Sequence, residues 1–252
     1  INTAILSRSG GNEGIGFAVP INMARNIMDS LVTQGRVVRG YLGVLIQDIN
    51  PDLAKEFNLS QDQGALVGDV TPKSPADKAG LKSGDVILNF NGKPVTDSRH
   101  LKLQVAETAP NTTVPVKILR DGKEKTIELA VKELPGGEKM AKADNEENNS
   151  SDTLNGVTVS DIDSTAKRQL DLPNNVKGAV VTNVDQDSAA YEAGLRPGDV
   201  IEEINRKPVQ GADDAVKLTE NARSKKTLLK IWSKGGSRFL VVNEEKGEEK
   251  NG

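Results

Sequence analysis

Short apolar runs separated by glycine and polar residues dominate the pattern of the chain. Ala65–Val67 and Ala179–Val181 are apolar runs that suit buried strands. Each is followed by a Ser-x-Ala-x-x-Ala-Gly segment, which predicts one helical turn capped by Ser74 or by Ser188 and ended by the glycine. A Gly-Asp-Val-Ile sequence then leads into another strand in both places. The pattern therefore predicts a mainly β fold with short helices.

These two stretches are copies of one sequence. Residues 64–95 and 178–209 align without a gap at a shift of 114 positions, and the shared residues include the helical turn and the Gly-Asp-Val-Ile sequence. The first copy also contains Asn91-Gly92, which is typical of a tight hairpin turn. Solenoid repeats are only about 20–50 residues long. The long period therefore indicates two copies of one domain.

The chain before the first copy has a different pattern. Residues 1–6 and 15–19 predict two strands joined by a polar, glycine-rich loop. An amphipathic helix is expected to follow, with Asn22 as its cap and Gly35 at its end. Residues 1–35 are too few to bury a core of their own, so we do not expect them to form an independent domain.

Two polar stretches complete the predicted domain organisation. Residues 135–153 are rich in glycine, asparagine, serine and charge, so we expect a flexible linker that leaves the angle between the two copies undetermined. Residues 245–252 are similarly polar. The predicted segments are a partial domain at 1–35, a first repeated domain at 36–134, the linker at 135–153, a second repeated domain at 154–244 and a polar tail at 245–252.

A glycine loop precedes each copy and carries the resemblance to a known family. The loop is Tyr-Leu-Gly-Val at 41–44 and Asn-Gly-Val at 155–157. Together with the repeated helical turn, these loops resemble bacterial PDZ domains, and two such domains in tandem resemble the HtrA (Do/Deg) family of serine proteases. The resemblance implies two partly open β-barrels or sandwiches capped by helices. It also implies that a C-terminal remnant of a trypsin-like β-barrel protease domain precedes them.

The resemblance implies peptide binding by strand addition. A peptide would lie along an exposed sheet edge, with its terminal carboxylate in a nest of backbone amides. In the first domain the implied binding residues are Arg39, Tyr41, Leu42, Gly43, Val44, Ile46, Leu101 and Val105. In the second domain they are Asn155, Gly156 and Val157. Because Asn155 replaces the apolar Leu42, we expect the second domain to bind C-terminal peptides less well and to act mainly in assembly. Arg39 could attract the carboxylate or could simply be a solvated charge.

The start of the chain resembles the segment after the catalytic serine motif of the same family. The resemblance implies that one strand pairs with the substrate backbone, through Thr3, Ala4, Ile5, Leu6 and Ser7. It also implies that Ser7–Gly14 is a loop that becomes ordered on activation. The simpler alternative is a packed β-hairpin with a flexible turn.

The residues needed for catalysis are not found in the sequence. A serine protease requires a nucleophile, a histidine base and a carboxylate in mutual reach. The only histidine is His100, within a predicted helix of the first domain, and the Gly-Asn-Ser-Gly-Gly motif of such proteases does not occur. We expect the triad to lie before Ile1, His100 to be a surface or groove-rim residue, and this chain to be inactive alone.

Composition limits the remaining possibilities. Hydrophobic residues make up 36% of the chain and aromatic residues 3%, so the cores must be built from small aliphatic side chains. A net charge of −3 gives no indication of nucleic-acid binding. We expect no cofactor, because the sequence has neither a complete dinucleotide loop nor a phosphate loop. We expect no metal, because one histidine and no cysteine leave only oxygen-ligand sites and no calcium-loop spacing occurs. No apolar run approaches about 18 residues, so we expect no membrane span.

Three functions remain open at this point. The first is part of a periplasmic, trimer-based homo-oligomeric protease for protein quality control, whose partners are unfolded or misfolded polypeptides and C-terminal peptides. The second is a non-catalytic scaffold or adaptor with tandem PDZ domains. The third is another PDZ-bearing protease, such as a membrane metalloprotease regulator, which the first 20 residues disfavour.

Overall fold

A computed structural model describes residues 1–6, 15–59, 62–134, 151–152, 154, 156–173, 176–220, 226–233 and 235–244. These residues form two modules with similar elements, preceded by a hairpin and a helix. Both modules are mainly β with short helices, as the apolar pattern predicted. Among the helices in these ranges, none combines the length and the hydropathy needed to cross a membrane.

The chain opens with an antiparallel hairpin and a helix. Strand β1 (Asn2–Leu6) pairs with β2 (Ile15–Ala18), and α1 (Ile21–Gln34) follows. Gly35 ends this helix in the left-handed conformation, as predicted. The prediction of the helix start was wrong. The cap position is Pro20, whose φ of −55° and extended ψ of 138° end the preceding strand directly before the first helical turn, and Asn22 lies inside the helix.

The first module is built around a six-stranded antiparallel sheet. Its path is β4-β5-β6-β8-β9, with β7 paired to β6, while β10 pairs separately with β3. The elements in chain order are β3 (Gly40–Tyr41), β4 (Val44–Gln47), α2 (Pro51–Glu56), β5 (Ala65–Val70), α3 (Pro75–Lys78), β6 (Val86–Phe90), β7 (Lys93–Pro94), α4 (Ser98–Glu107), β8 (Thr113–Arg120), β9 (Lys123–Ala130) and β10 (Lys132–Glu133). Strand β4 is therefore an edge strand.

The second module repeats this arrangement with one strand added at the corresponding edge. Its path is β11-β12-β13-β14-β16-β17, with β15 paired to β14. The elements are β11 (Ser151–Asp152), β12 (Val157–Asp161), α5 (Ser164–Gln169), β13 (Ala179–Val184), α6 (Ala189–Glu192), β14 (Val200–Ile204), β15 (Lys207–Pro208), α7 (Ala212–Glu220), β16 (Lys226–Ser233) and β17 (Gly236–Asn243). Residues 135–150 of the expected linker and the tail from 245 lie outside the described residues. Strand β11 falls within the last part of the expected linker.

The local predictions within the repeat are confirmed. The Asp77 amide donates to Ser74 Oγ at 3.2 Å, and the Tyr191 amide donates to Ser188 Oγ at the same distance. These serines therefore cap α3 and α6. Asn91 and Gly92 both have positive φ, 50° and 77°, as a tight turn between β6 and β7 requires.

Each module has its own core of small aliphatic side chains, as the composition required. The first core packs Val67, Ile87 and Phe90 against α4 and the neighbouring strands. The second core packs Ile201 and Leu229, among others, in the equivalent position. Phe90 is the largest fully buried side chain of the described residues.

A third apolar cluster joins the two modules, which the sequence did not predict. It is centred on Phe57 and Phe239, whose ring centroids lie 5.5 Å apart at an interplanar angle of 79°. Such edge-to-face contact is a favourable aromatic geometry. The first module contributes Ile49, Leu53, Ala54, Phe57, Leu66 and Val86, and the second contributes Leu228, Phe239 and Val241.

Polar and main-chain contacts extend this interface. Lys226 Nζ lies 3.1 Å from Asp52 Oδ1 across the boundary. A Cβ added at Gly68 would lie 2.1 Å from the carbonyl oxygen of Ser237, so only glycine lets β5 approach β17 this closely. The two modules are therefore packed together in this structure.

Candidate functional site

The glycine loop at 42–44 is held by main-chain hydrogen bonds on its inner side. The Thr71 amide donates to the Gly43 carbonyl and the Ala76 amide to the Leu42 carbonyl, each at 2.9 Å. Gly43 has a φ of +79°, and a Cβ placed on it would lie 2.2 Å from Ser74 Cβ. This position therefore requires glycine, both for its backbone conformation and for the lack of space.

The amides of the same loop remain available. Within the part of the chain that the structure describes, the amides of Leu42 and Gly43 donate to no protein acceptor. Consecutive amides without a partner at a tight loop form a nest that suits an anion such as a carboxylate. The loop thus has the donors that the resemblance implied.

The main chain of β4 has a free edge next to this loop. Ile46 lies opposite Val67 on β5. The Val67 amide and carbonyl are already used by the turn just before β6, because they bond to the Asp85 carbonyl and the Gly84 amide at 2.8 Å. The amide and carbonyl of Ile46 therefore point away from β5, toward the outer edge of the sheet.

The predicted apolar walls come together beside this edge. Leu42, Leu101 and Val105 are all buried and belong to one cluster, against which Val44 and Ile46 also pack. Leu101 and Val105 lie one turn apart on α4, the helix that faces β4. Leu42 is only 3% exposed, so this wall of the groove is continuous with the core of the first module.

Two contacts that were not predicted hold α4 at a fixed distance from the strands. Asp48 Oδ1 accepts a hydrogen bond from the Ser98 amide at 2.8 Å, which joins the end of β4 to the start of α4. Hydrogen bonds from Ser98 lower the pKa of Asp48. At the other end, a Cβ on Gly40 would lie 2.1 Å from the Val105 carbonyl oxygen. No sequence signal indicated either contact, because the cap of α4 is Asp97 and the bond to Asp48 uses the main-chain amide of Ser98.

The remaining predicted residues of the first site lie around the loop. The Tyr41 hydroxyl is 3.1 Å from the position that a Cβ on Gly43 would take. Arg39 is exposed, and no carboxylate of the described residues lies within ion-pair distance of it. Ser74 was predicted from the sequence only as a helix cap. Its hydroxyl also donates to the Gly43 carbonyl at 3.3 Å.

In the second module Gly156 is held as Gly43 is, but the edge of the sheet is different. The Asp185 amide donates to the Gly156 carbonyl at 2.8 Å, as Thr71 does to Gly43. The Val157 amide, however, donates to the Leu154 carbonyl at 3.1 Å. The outer edge of β12 is paired with β11. Asn155 lies outside the described residues, so its predicted role stays a prediction.

The predicted substrate strand at the start of the chain is half of a hairpin. Thr3 and Ala4 are exposed, and Thr3 Oγ1 donates to the Phe17 carbonyl at 3.1 Å. Ile5 and Leu6 belong to β1, whereas Ser7 lies outside the described residues. Strand β2 covers one edge of β1, and no other described strand covers its second edge.

His100 is partly buried and contacts neighbouring polar side chains. Its Nδ1 lies 3.0 Å from Thr96 Oγ1, and its Nε2 lies 3.2 Å from Gln104 Nε2. Both ring nitrogens are thus engaged by neutral side chains near the start of α4. Among the described residues, no group of three histidine, cysteine, aspartate or glutamate side chains is placed to hold a metal ion.

Comparison with known proteins identifies both modules. Residues 40–131 and residues 180–233 each match the PDZ domain family. A solved structure described as "HtrA-type protease AlgW with decapeptide" aligns at a TM-score of 0.47 and 39% identity, over 54% of this chain and 42% of that one.

Curated relatives cover almost the whole chain. The "Probable periplasmic serine endoprotease DegP-like" of Rhizobium meliloti (strain 1021) is 39% identical over 246 residues, which are 96% of this chain and 48% of the relative. The protein of the same name from Pseudomonas fulva (strain 12-X) is 37% identical over 245 residues, 96% of this chain and 50% of the relative. The chain spans about half the length of the curated relatives it matches. With two PDZ domains and this similarity along its length, the chain belongs to the HtrA (Do/Deg) family of serine proteases.

Proposed function

We propose that this chain is the peptide-recognition part of a periplasmic serine endoprotease that degrades misfolded proteins. The first PDZ domain captures the free C-termini of unfolded polypeptides by strand addition. The observation that carries this proposal is the combination at one place of the two unpartnered loop amides, Leu42 and Gly43, with the free edge of β4. The names of the relatives support the periplasmic setting and the protease activity.

The proposed binding mode assigns a role to each wall of the groove. The loop amides receive the terminal carboxylate, and the main chain of Ile46 pairs with the peptide backbone. Leu42, Leu101 and Val105 enclose the last side chain, which favours an apolar residue there. The hydrogen bond between Asp48 and the Ser98 amide keeps α4 in place while the peptide enters.

The free energy expected from the contacts in a single groove predicts weak binding. About four net hydrogen bonds at roughly 0.5–1.5 kcal/mol each and one buried apolar side chain at roughly 1.5–3 kcal/mol give about 4–9 kcal/mol. Loss of translational and rotational freedom reduces this value, so we expect micromolar or weaker affinity. Capture of an unfolded chain would then rely on several modules of a homo-oligomer, which we propose to be trimer-based.

We also propose that β1 pairs with the substrate backbone in the complete protease. Its second edge is not covered by any described strand, and Thr3 and Ala4 are exposed. The catalytic residues would be supplied by protein outside this chain.

A peptide titration with matched glycine variants tests the first groove. A peptide with an apolar last residue and a free carboxylate should bind at least about tenfold more tightly than its C-terminal amide, because a neutral amide loses the charge-assisted bonds to the loop. Gly43→Ala should weaken binding of the free acid by a similar factor. Gly92→Ala is the matched control, since Gly92 also has positive φ but its added Cβ would meet nothing within 4 Å. Equal affinity for acid and amide would contradict the proposal.

A further inference from the structure

The outer edge of β12 in the second PDZ domain is occupied by the chain's own β11. Ser151 lies opposite Val159 and Asp152 opposite Thr158, in antiparallel register. Val159 corresponds to Ile46 of the first domain. Its partner on the other side, Val181, bonds instead to the Asp199 carbonyl and the Gly198 amide. The main chain of Val159 therefore faces β11, at the edge where the first domain has no strand.

Strand β11 also lies in the groove rather than outside it. Cα atoms of β11 come within 8 Å of α7 as well as of β12. Helix α7 corresponds to α4, which forms the far wall of the first groove. A short antiparallel strand between the edge strand and this helix has the position and the direction of a peptide bound by strand addition.

The end of this segment reproduces features of a peptide C-terminus. The Leu154 carbonyl accepts a hydrogen bond from the Val157 amide at 3.1 Å, at the loop that would receive a carboxylate. The Leu154 side chain packs against the core of the second domain, as the last apolar residue of a peptide would. Leu154 also has a φ of +55°, which is unfavourable for a non-glycine residue and fits a sharp return of the chain into β12.

We propose that β11, together with Leu154, is a tethered, intramolecular ligand of the second PDZ domain. The groove binds the C-terminus of another chain only when this segment leaves it, so the second domain is closed to peptides while the first is open. The inference rests on the proposed function only in taking strand addition as the binding mode, and it concerns a different groove.

The test uses the complete chain, with residues 151 and 152 both changed to proline. Proline has no amide hydrogen and disfavours pairing, so β11 should leave β12. The control changes Ser151→Ala and Asp152→Ala, which keeps the backbone amides. The probe is a peptide ending in Ser-Asp-Thr-Leu with a free carboxylate, the sequence of the tethered segment itself. NMR amide signals of Val159 report the second groove, and those of Ile46 report the first.

We expect the probe to shift the Val159 signal in the proline variant at concentrations at least about tenfold lower than in the wild type and the alanine variant, because removing two net hydrogen bonds relieves the competition. Equal titration of Val159 in the wild type and in the folded proline variant would overturn the proposal. If the probe shifts the Val159 signal of the proline variant but leaves the Ile46 signal unchanged, the result would instead count against the function proposed for the first groove. Unchanged fluorescence of Trp232, which is buried in the second domain, shows that the proline variant is folded.

A disulfide provides a second test that does not depend on proline. The chain has no cysteine, so Asp152→Cys together with Thr158→Cys introduces a single pair at directly opposite positions. The pair should oxidise readily, and the oxidised protein should show no probe-induced shift at Val159. Reduction should restore the wild-type response. Failure of the cysteines to form the bond would show that β11 does not pair with β12, and the proposal would be wrong.

Discussion

The side-chain amide of Gln47 forms a two-way hydrogen bond with the main chain of Phe239. Gln47 Nε2 donates to the Phe239 carbonyl at 2.9 Å, and the Phe239 amide donates to Gln47 Oε1 at 2.8 Å. Phe239 lies in β17, the last strand of its sheet, so the glutamine side chain satisfies main-chain groups at an edge. Gln47 lies on β4, so these two hydrogen bonds connect the edge strand of the first domain to the second domain.

Replacement of Gln47 by alanine should weaken the contact between the domains. The buried amide and carbonyl of Phe239 would lose their partners, at a cost of about 1–3 kcal/mol in the free energy of unfolding. Hydrogen exchange at the Phe239 amide should accelerate accordingly. Gln63→Ala is the control, because Gln63 is exposed. Unchanged exchange at Phe239 in the Gln47 variant would contradict this prediction.

Replacement of Phe57 by alanine should separate the unfolding of the two domains. Its ring is buried against Phe239, and removing a buried phenylalanine typically costs about 3–5 kcal/mol. Denaturant unfolding followed by Trp232, in the second domain, and by amide signals of the first domain should give two midpoints. Phe17→Ala removes an exposed ring as the control. The prediction fails if the two probes still report one common transition and the stability is unchanged.

The two copies of the Gly-Asp-Val-Ile sequence should respond differently to loss of the aspartate charge. Asp85 accepts hydrogen bonds from Arg120 Nε and Nη2, both at 2.6 Å. Asp199, the equivalent residue, has Arg238 Nη2 no nearer than 3.8 Å and a further charge interaction with Arg196, and burial raises its pKa. Asp85→Asn should therefore destabilise the protein by about 3–5 kcal/mol, the cost of breaking a buried ion pair.

Asp199→Asn is the internal control for this comparison, because the two positions are equivalent in the repeat. It removes a charge that burial already disfavours, so its loss of stability should be clearly smaller. Guanidinium unfolding midpoints of the two variants provide the measurement. Equal shifts of the two midpoints would show that the difference in arginine geometry has no energetic consequence.

Glu202 should make the protein more stable at mildly acid pH than at neutral pH. Its carboxylate atom Oε2 is buried without a hydrogen-bond partner, and Lys230 Nζ is 3.8 Å away. Burial, and to a smaller extent Asp69 and Glu203, raises the pKa of Glu202. The folded chain therefore binds this proton more tightly than the unfolded chain, so the stability it contributes is present at low pH and is lost as the pH rises through the folded pKa.

Glu202→Gln tests this sign. The variant should be more stable than the wild type at pH 7, and its stability should fall less between the usual glutamate pKa near 4.5 and neutral pH. Unfolding free energies across this range, with the exposed Glu128→Gln as control, provide the measurement. If the stability of the wild type and that of the glutamine variant depend on pH in the same way, the assignment is wrong.

Local chemistry made much of the first groove predictable. The serine caps, the positive-φ glycine of the loop and the spacing of Leu101 and Val105 each depend on a few neighbouring residues, and the structure has them as expected. The start of α1 shows the limit of such rules, because Asn22 was the expected cap and the helix begins at Ile21, directly after Pro20.

The contact between the domains was missed although the sequence contained an indication of it. In Ala65-Leu66-Val67, alternate side chains of a strand point to opposite faces, so an uninterrupted apolar run indicates that both faces are covered. Ala65 and Val67 face the core of the first domain, and Leu66 faces the second. Strand β11 could not be predicted, because Ser151 and Asp152 carry no apolar pattern and their pairing depends on the distant β12.

The shared apolar cluster has a consequence for handling the protein. Leu66 and Val86 of the first domain share this cluster with Val241 of the second. A protease that cut the polypeptide between 135 and 150 would therefore leave two fragments that stay associated without a covalent connection. Expressed alone, residues 36–134 would expose their part of this apolar cluster to solvent and would tend to self-associate.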